Sequence, residues 1–330
     1  MKRKTPSMFA ALWVGLALNV YLQAQARYWS RPGVAAACLS VPVLAVTGWL
    51  FARAWRIGAD AFLRGAWFFL LAGSSVLELL RLWQLAQHLY PQTVTLLGVC
   101  VAVLLPVVYL RRASALSQTA QVIAWVGVLT VAVMVCSLAG QLRVHHLQTV
   151  PILSENGRQA LAAQLWLYPE YLLPALWPER EKRGSHTVLW LAGGAIALEV
   201  AMNLFLELYF GAALLDSTNP VHTAARAGAL SVFRRLEWLQ LTLWLVSLSL
   251  KLALYLYAMV RLAGAHAPVR REAVGLRCFP LYLGGMVLLC VVGHTWDLDA
   301  AFALRNAALW VFAALVLLRG AIVWLGTRSG

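Results

Sequence analysis

Charged residues are scarce in this chain, and acidic residues are the scarcest: 13 Asp and Glu stand against 27 Lys and Arg among 330 residues. Charged residues make up 12% of the sequence and hydrophobic residues 62%, whereas a soluble domain carries about 25% charged residues. This shortage of charge excludes an ordinary soluble protein. Repeated apolar stretches of about 20 residues predict an all-α polytopic membrane protein, forming a single transmembrane domain over residues 1–330.

The residues that carry covalent or metal chemistry are also missing as motifs. There is no C-x-x-C, and the five cysteines lie in or at the ends of apolar stretches, which argues against a disulfide scaffold or a zinc site. The pair His145–His146 is predicted to be an exposed loop pair rather than a metal site. Since no nucleophile–base set or phosphate loop occurs either, we expect neither an enzyme nor a bound cofactor. The basic residues are scattered between apolar runs, which is typical of membrane-protein loops and not of nucleic-acid binding.

The apolar stretches predict ten membrane spans. The first follows Lys2, Arg3 and Lys4 but lacks a convincing signal-peptide cleavage site, so we interpret it as a retained span. Arg305 is assigned to the loop that precedes the last span. The predicted spans are Met8–Ala26, Gly33–Ala52, Gly65–Gln87, Gln92–Leu110, Thr119–Leu142, Gln159–Trp177, Thr187–Phe210, Trp238–Val260, Cys278–Trp296 and Asn306–Leu325.

Span six is the doubtful one, and the distribution of Lys and Arg tests it. With ten spans and both termini in the cytoplasm, the cytoplasmic ends carry roughly twice as many Lys and Arg residues as the outer ends. Removing span six flips every later loop and makes the two sides nearly equal. The charge distribution therefore predicts that span six crosses the membrane. Ten spans divide into five plus five, as in an inverted repeat of the LeuT type, with repeats at about 8–142 and 159–325.

Span six is also predicted to be broken. In "LWLYPEYLLPALWP", Pro169 and Pro174 remove backbone donors, so the helix should kink or unwind between Tyr168 and Pro174. Inverted-repeat transporters place such discontinuous helices at a substrate site, which makes Glu170 a candidate ligand contact. An ordinary proline-kinked packing helix is an equally good interpretation of this segment alone.

Ionisable residues inside the other spans predict an intramembrane network. Glu78 and Arg81 lie three residues apart in span three and can form a structural ion pair. Glu199, Asn203 and Glu207 form a polar stripe in span seven, suited to interhelical hydrogen bonds or to a ligand pathway. Lys251 and Tyr255 lie four residues apart in span eight. Lys251 has no acidic partner within reach on its own helix, so we expect either a partner from another span, Glu170, Glu199 or Glu207, or the loss of its proton.

The second half of the chain resembles the spore-germination permease-like family, the B subunits of bacterial nutrient germinant receptors, within the amino acid–polyamine–organocation transporter superfamily. The resemblance covers about 165–262, from "LWLYPEYLLPALWPEREK" through Phe210–Gly211 and Pro220 to "VFRRLEWLQLTLW" and "KLALYLY". The matching positions in the last two phrases, and in span three, are Phe233, Arg235, Glu237, Trp244, Lys251, Tyr257, Arg81, Pro91 and Thr93.

The resemblance implies a sensor of an amino acid or similar small nutrient, located in the inner spore membrane with an A-type membrane subunit and a C-type lipoprotein subunit as partners. The ligand would lie between spans one, three, six and eight. Span one has no proline, and its only candidate ligand contacts are Gly15 and Asn19. Lys251 would occupy the space that a coupling cation fills in relatives of the fold. Two alternatives are a proton-coupled amino acid transporter acting through Glu170 or Glu199, and a structural subunit without a working ligand site.

Overall fold

The computed structural model describes residues 8–23, 31–90, 94–110, 112–147, 158, 165–176, 184–216, 220–228, 236–264 and 278–326. Within these residues the chain is helical and contains no β-strand. The helices are α1 (Phe9–Gln23), α2 (Arg31–Gly58), α3 (Ala61–Leu89), α4 (Leu96–Tyr109), α5 (Ala113–Leu138), α6 (Pro169–Leu172), α7 (Gly184–Phe210), α8 (Pro220–Ala227), α9 (Glu237–Ala263), α10 (Cys278–Gly293) and α11 (Leu298–Gly326). Short 3₁₀ turns cover Ala139–Gln141, Val144–His146, Leu173–Leu176 and Gly211–Asp216.

Among the residues that the structure describes, six helices are long and apolar enough to cross a membrane, which confirms an all-α, multi-pass membrane protein. They are Cys38–Gly58, Ala61–Leu89, Ala113–Gln141, Val188–Phe210, Glu237–Ala263 and Leu298–Gly326. Three further apolar helices are shorter: Phe9–Asn19, Leu96–Tyr109 and Tyr282–Gly293. Large apolar side chains such as Phe69, Trp125 and Leu318 are exposed on the outer faces. That is the pattern expected where helices contact lipid instead of water.

Helix α9 forms the centre of the bundle. Its most apolar stretch is 78% buried, against 22% for α5 at the periphery. Helix α9 packs against α1, α3, α4 and α5, while α2 packs against α7 and α11. The contact between α2 and α11 is close because Gly320 has no side chain: a Cβ there would lie 2.7 Å from the Cβ of Ala54. This kind of small-residue contact is typical of helix packing in membranes.

The described part of predicted span six contains a break in the helix. Tyr168 is extended, with φ −99° and ψ 145°, and α6 begins at Pro169 before continuing as the 3₁₀ turn. The extended stretch therefore ends at Tyr168, the first residue of the interval Tyr168–Pro174 in which we expected a kink or unwinding, and helical structure resumes at Pro169. The physical reason is that proline disfavours the helical conformation of the residue before it, yet fits the first turn of a helix.

Helix α11 supplies hydrogen bonds to the backbone of this extended stretch. The amide of Leu167 donates to Asn306 Oδ1 at 2.8 Å, and the indole of Trp310 donates to the carbonyl of Leu165 at 3.0 Å. Irregular backbone at membrane depth is tolerated only when protein or water satisfies its polar groups. The side chains of α11 thus make the break stable.

The structure corrects the position of Arg305 and shows that α1 is continuous. Helix α11 begins at Leu298, so Arg305 lies inside the helix and is 94% buried, and its assignment to a loop was wrong. Helix α1 is continuous from Phe9 to Gln23 and has no counterpart of the break in span six. Several residues from the topology and family patterns lie outside the described residues: Lys2, Arg3, Lys4, Pro91, Thr93, Phe233 and Arg235.

Candidate functional site

A fully buried lysine connects three helical segments. The ammonium of Lys251 on α9 donates hydrogen bonds to Asn19 Oδ1 on α1 and to Glu78 Oε1 on α3, the latter at 2.8 Å. Its Nζ atom also lies 3.4 Å from Glu170 Oε1 on α6. An ammonium group has three donors, and the three nearest oxygens come from three different elements. We call the set Asn19, Glu78, Glu170, Lys251, Tyr255 and Arg305 the central cluster.

The broken segment contributes Glu170 to the central cluster. It lies in the first turn of α6, where a carboxylate is favoured by the helix dipole. Its carboxylate accepts hydrogen bonds from the Tyr255 hydroxyl at 2.8 Å and from Asn19 Nδ2 at 3.2 Å. The side chain of Glu170 is completely buried, so these partners replace water as the groups that stabilise its charge.

Helical spacing explains why these side chains meet. Lys251 and Tyr255 are four residues apart and lie on one face of α9, and both reach Glu170. Gly15 and Asn19 have the same spacing on α1. A Cβ on Gly15 would lie 3.0 Å from Glu170 Oε1 and 3.1 Å from its Cγ. Gly15 therefore leaves the space in which the Glu170 side chain lies, while Asn19 binds the carboxylate from one turn away.

Arg305 extends the central cluster toward α11. Its Nη1 donates to Glu78 Oε1 at 3.0 Å, so a single carboxylate oxygen receives both Lys251 and Arg305. The Arg305 guanidinium lies 4.6 Å from the centre of the Phe302 ring and 5.7 Å from that of Tyr168. The guanidinium of Arg81 lies 5.0 Å from the same Phe302 ring. Two arginines from different helices thus make cation–π contacts with one phenylalanine.

The predicted site residues separate into those that the central cluster brings together and those that it does not. Gly15, Asn19, Glu170, Glu78, Lys251 and Tyr255 meet, and Tyr168 and Arg81 border the same region through Arg305 and Phe302. Pro169 contributes the start of α6, and Pro174 is buried in the 3₁₀ turn.

The polar residues of α7 lie apart from the central cluster. Glu199 is close enough to interact electrostatically with Tyr168 and Tyr171. Asn203 is buried, and its Oδ1 has no hydrogen-bond partner in the described part of the chain. The polar stripe therefore borders the broken segment through Glu199.

Two functional contacts were missed from the sequence. Glu78 lies close enough to Arg81 on its own helix to interact with it electrostatically, but its hydrogen bonds from Lys251 and Arg305 of other helices were not foreseen. Of the three partners proposed for Lys251, Glu170 lies near it, and Glu78 is the partner not foreseen. Arg305 was missed because its charge suggested a loop. The useful signal was that the apolar helical pattern already begins at Leu298, seven residues earlier.

An apolar cavity of about 380 Å³ lies among α1, α5, α7 and α9. Its lining includes Leu18, which precedes Asn19, and Ser247, which lies one helical turn before Lys251. Any movement of α1 against α9 would therefore change both the cavity and the central cluster.

The central cluster can hold the packed helices together. Buried ion pairs contribute less through net attraction than through the high cost of leaving one partner unpaired. Lys251 and Arg305 join α1, α3, α6, α9 and α11 in one packing, and a change at Glu170 would reach all of them. No protein-family model matches the chain, and no curated protein matches its sequence.

Proposed function

We propose that this chain is a permease-like sensing subunit of a spore germination receptor, of the B type, that responds to an amino acid or a similar small nutrient. The observation that carries the proposal is the buried Glu170 at a helix break, linked by Lys251 to α1 and α3. The resemblance at about 165–262 covers the same broken segment and the same lysine. The A-type and C-type subunits, membrane lipids and the inner spore membrane belong to this proposal.

The packing of the helices supports a five-plus-five inverted repeat. In such a repeat, α1 corresponds to the broken segment 165–176, α2 to α7, α3 to α9, α4 to α10 and α5 to α11. If each helix is replaced by its counterpart in the other half, the contact of α4 with α9 corresponds to the contact of α10 with α3. In the same way, the contact of α5 with α9 corresponds to the contact of α11 with α3. The contact of α1 with α7 likewise corresponds to that of the broken segment with α2. Both members of each pair occur.

Two further features of the packing agree with that symmetry, whereas the contacts of α2 with α11 and of α1 with α9 are more extensive than their counterparts, α7 with α5 and the broken segment with α3. The contact between α1 and α5 has its counterpart in the hydrogen bonds from α11 to Leu165 and Leu167. Helices that correspond to each other, α2 with α7 and α3 with α9, pack directly together, as they must on a pseudo-two-fold axis. Ten spans with both termini in the cytoplasm belong to this proposal.

The proposed mechanism is competition for Glu170. The ammonium group of an amino acid has the same charge and donor number as the Lys251 side chain, so it would compete for Glu170 and Asn19. Displaced Lys251 would retain Glu78, while Asn19 of α1 and Glu170 of α6 would lose their link to its ammonium group. The ligand shifts the packing only by the difference between its affinities for the two states. Sensing thus requires that the repacked bundle bind the ligand more tightly.

Reconstitution of the purified full chain into proteoliposomes tests the proposal. We expect saturable binding of one of the radiolabelled L-amino acids, without accumulation when a pH gradient is applied, and co-purification with the A-type and C-type subunits. Accumulation driven by the gradient would establish the proton-coupled transporter instead. If neither binding nor uptake occurs with any of the twenty amino acids, the structural-subunit alternative stands and the sensor is excluded.

A further inference from the structure

Arg305 has a free hydrogen-bonding edge inside the protein. Its side chain is only 4% exposed, and its buried Nε has no hydrogen-bond partner in the part of the chain that the structure describes. Glu78 is bonded through Nη1, which lies on the far side of the guanidinium from Nε. The edge formed by Nε and Nη2 is therefore the one that remains available.

That edge has a specific chemical preference. The Nε–H and Nη2–H bonds of arginine are parallel and match the two oxygens of one carboxylate. Leaving a buried donor without a partner costs about 1–3 kcal/mol. A ligand that accepts a hydrogen bond from this donor therefore gains more binding free energy than one that binds a solvated group. Glu78 does not bind the Nε atom of Arg305. Its Oε1 accepts hydrogen bonds from Arg305 Nη1 and Lys251, and its Oε2 has no hydrogen-bond partner in the described part of the chain.

The surroundings favour an anion over a neutral or cationic group. Arg81 lies beside the same Phe302 ring as Arg305, so two guanidinium groups lie close to this ring, and Arg81 also interacts electrostatically with Glu78 and Asp299. The apolar ring between them excludes water, and this strengthens the interaction of either guanidinium with an anion. Asp299, one turn before Phe302, is exposed. The region thus lies near an end of α11 that is open to the outside of the bundle.

We infer that the Nε edge of Arg305, beside Phe302 and Arg81, is a binding site for the carboxylate of a small ligand. This inference deepens the proposed function by giving an amino acid a second contact: its ammonium group meets Glu170, and its carboxylate meets Arg305. The carboxylate site itself rests on Arg305 alone. It can therefore stand even if the ligand is not an amino acid.

The first test uses acetate as the probe and acetamide as its neutral match. Melting temperature is measured on the full chain in detergent while sodium chloride is replaced by sodium acetate at constant ionic strength. We expect a saturable rise with acetate and none with acetamide. No rise with acetate, or an equal rise with acetamide, would overturn the inference.

Arg305→Lys locates the site, because lysine keeps the charge beside Glu78 but lacks the planar edge. We expect this variant to lose the effect of acetate. Arg319→Lys on the same helix is the matched control, because Arg319 forms a half-exposed pair with Asp60 at 2.9 Å, and it should keep the effect. Should Arg305→Lys not fold, Arg305→Gln, which also lacks the paired Nε–Nη2 edge, replaces it. An acetate effect unchanged in the variant tested would refute the site.

A second comparison separates this inference from the proposed function. Each L-amino acid that binds the wild-type chain is compared with its amide, and we expect the acid to bind at least about tenfold more tightly. Equal binding of acid and amide would leave the sensor intact but refute the carboxylate site. Stabilisation by acetate without binding of any amino acid would retain the site and refute the amino acid sensor.

Discussion

Replacing Lys251 by methionine tests whether the central cluster ties the bundle together. Methionine keeps most of the stem but removes the ammonium group, which lies 2.8 Å from Glu78 and 3.4 Å from Glu170. Arg305 still compensates Glu78 at 3.0 Å. Glu170 keeps only its neutral partners Tyr255 and Asn19. Its buried charge is then uncompensated.

The expected cost is large for a single substitution. Breaking a buried ion pair by removing one partner costs about 3–5 kcal/mol, which is about two to four orders of magnitude in the unfolding equilibrium. Equilibrium unfolding in mixed micelles, followed by circular dichroism, measures this free energy. Arg319→Met is the control, because its pair with Asp60 is half exposed, and we expect it to cost no more than about 1 kcal/mol.

A double variant separates the ion pair from the loss of packing. Glu170→Gln removes the charge that Lys251 compensates, so combining it with Lys251→Met should cost less than the sum of the two single variants. Additive costs would refute the coupling, and so would a Lys251→Met variant as stable as the control. In the assembled receptor we expect Lys251→Met to abolish the response to nutrient. An unaltered response at normal protein level would exclude Lys251 from signalling.

Two further substitutions test how the broken segment is held. Gly15→Ala should destabilise the protein by about 1–3 kcal/mol, because the new Cβ would crowd Glu170 at 3.0 Å, whereas Gly73→Ala, which meets nothing within 4 Å, should be neutral or stabilising by up to about 1 kcal/mol. The same unfolding assay decides, and equal effects would contradict the predicted contact. Asn306→Ala removes the acceptor of the Leu167 amide and should cost about 1–3 kcal/mol. Unchanged amide protection of Leu167 in hydrogen exchange would show that this bond does not hold the break.

The location of the break shows what local sequence could predict. Two prolines in an apolar segment were enough to expect an interruption, because proline removes backbone donors wherever it occurs. The position of the extended residues depended on a second effect, the constraint that Pro169 places on Tyr168. The hydrogen bonds that satisfy the extended backbone come from Asn306 and Trp310, and nothing in the local sequence identifies them.

The pairing of charges shows where sequence reasoning fails. Spacing along one helix made Arg81 the natural partner of Glu78, since residues three apart lie on one face. In the structure Glu78 interacts electrostatically with Arg81 and, in addition, accepts hydrogen bonds from Lys251 and Arg305 of other helices. A carboxylate in the interior binds whichever cations the packing brings nearest, and this depends on contacts between residues far apart in sequence. The burial of Arg305 could not be predicted for the same reason.

The sequence by itself determined that this is an all-helical membrane protein, because apolar stretches of this length have no stable place in water. It also determined that the sixth segment is interrupted and that Lys251 needs an acidic partner from another helix. Only the tertiary structure decided which partners those are, and that α1 runs unbroken past Gly15 and Asn19. Composition and periodicity act within one segment, whereas the central cluster exists only where five segments meet.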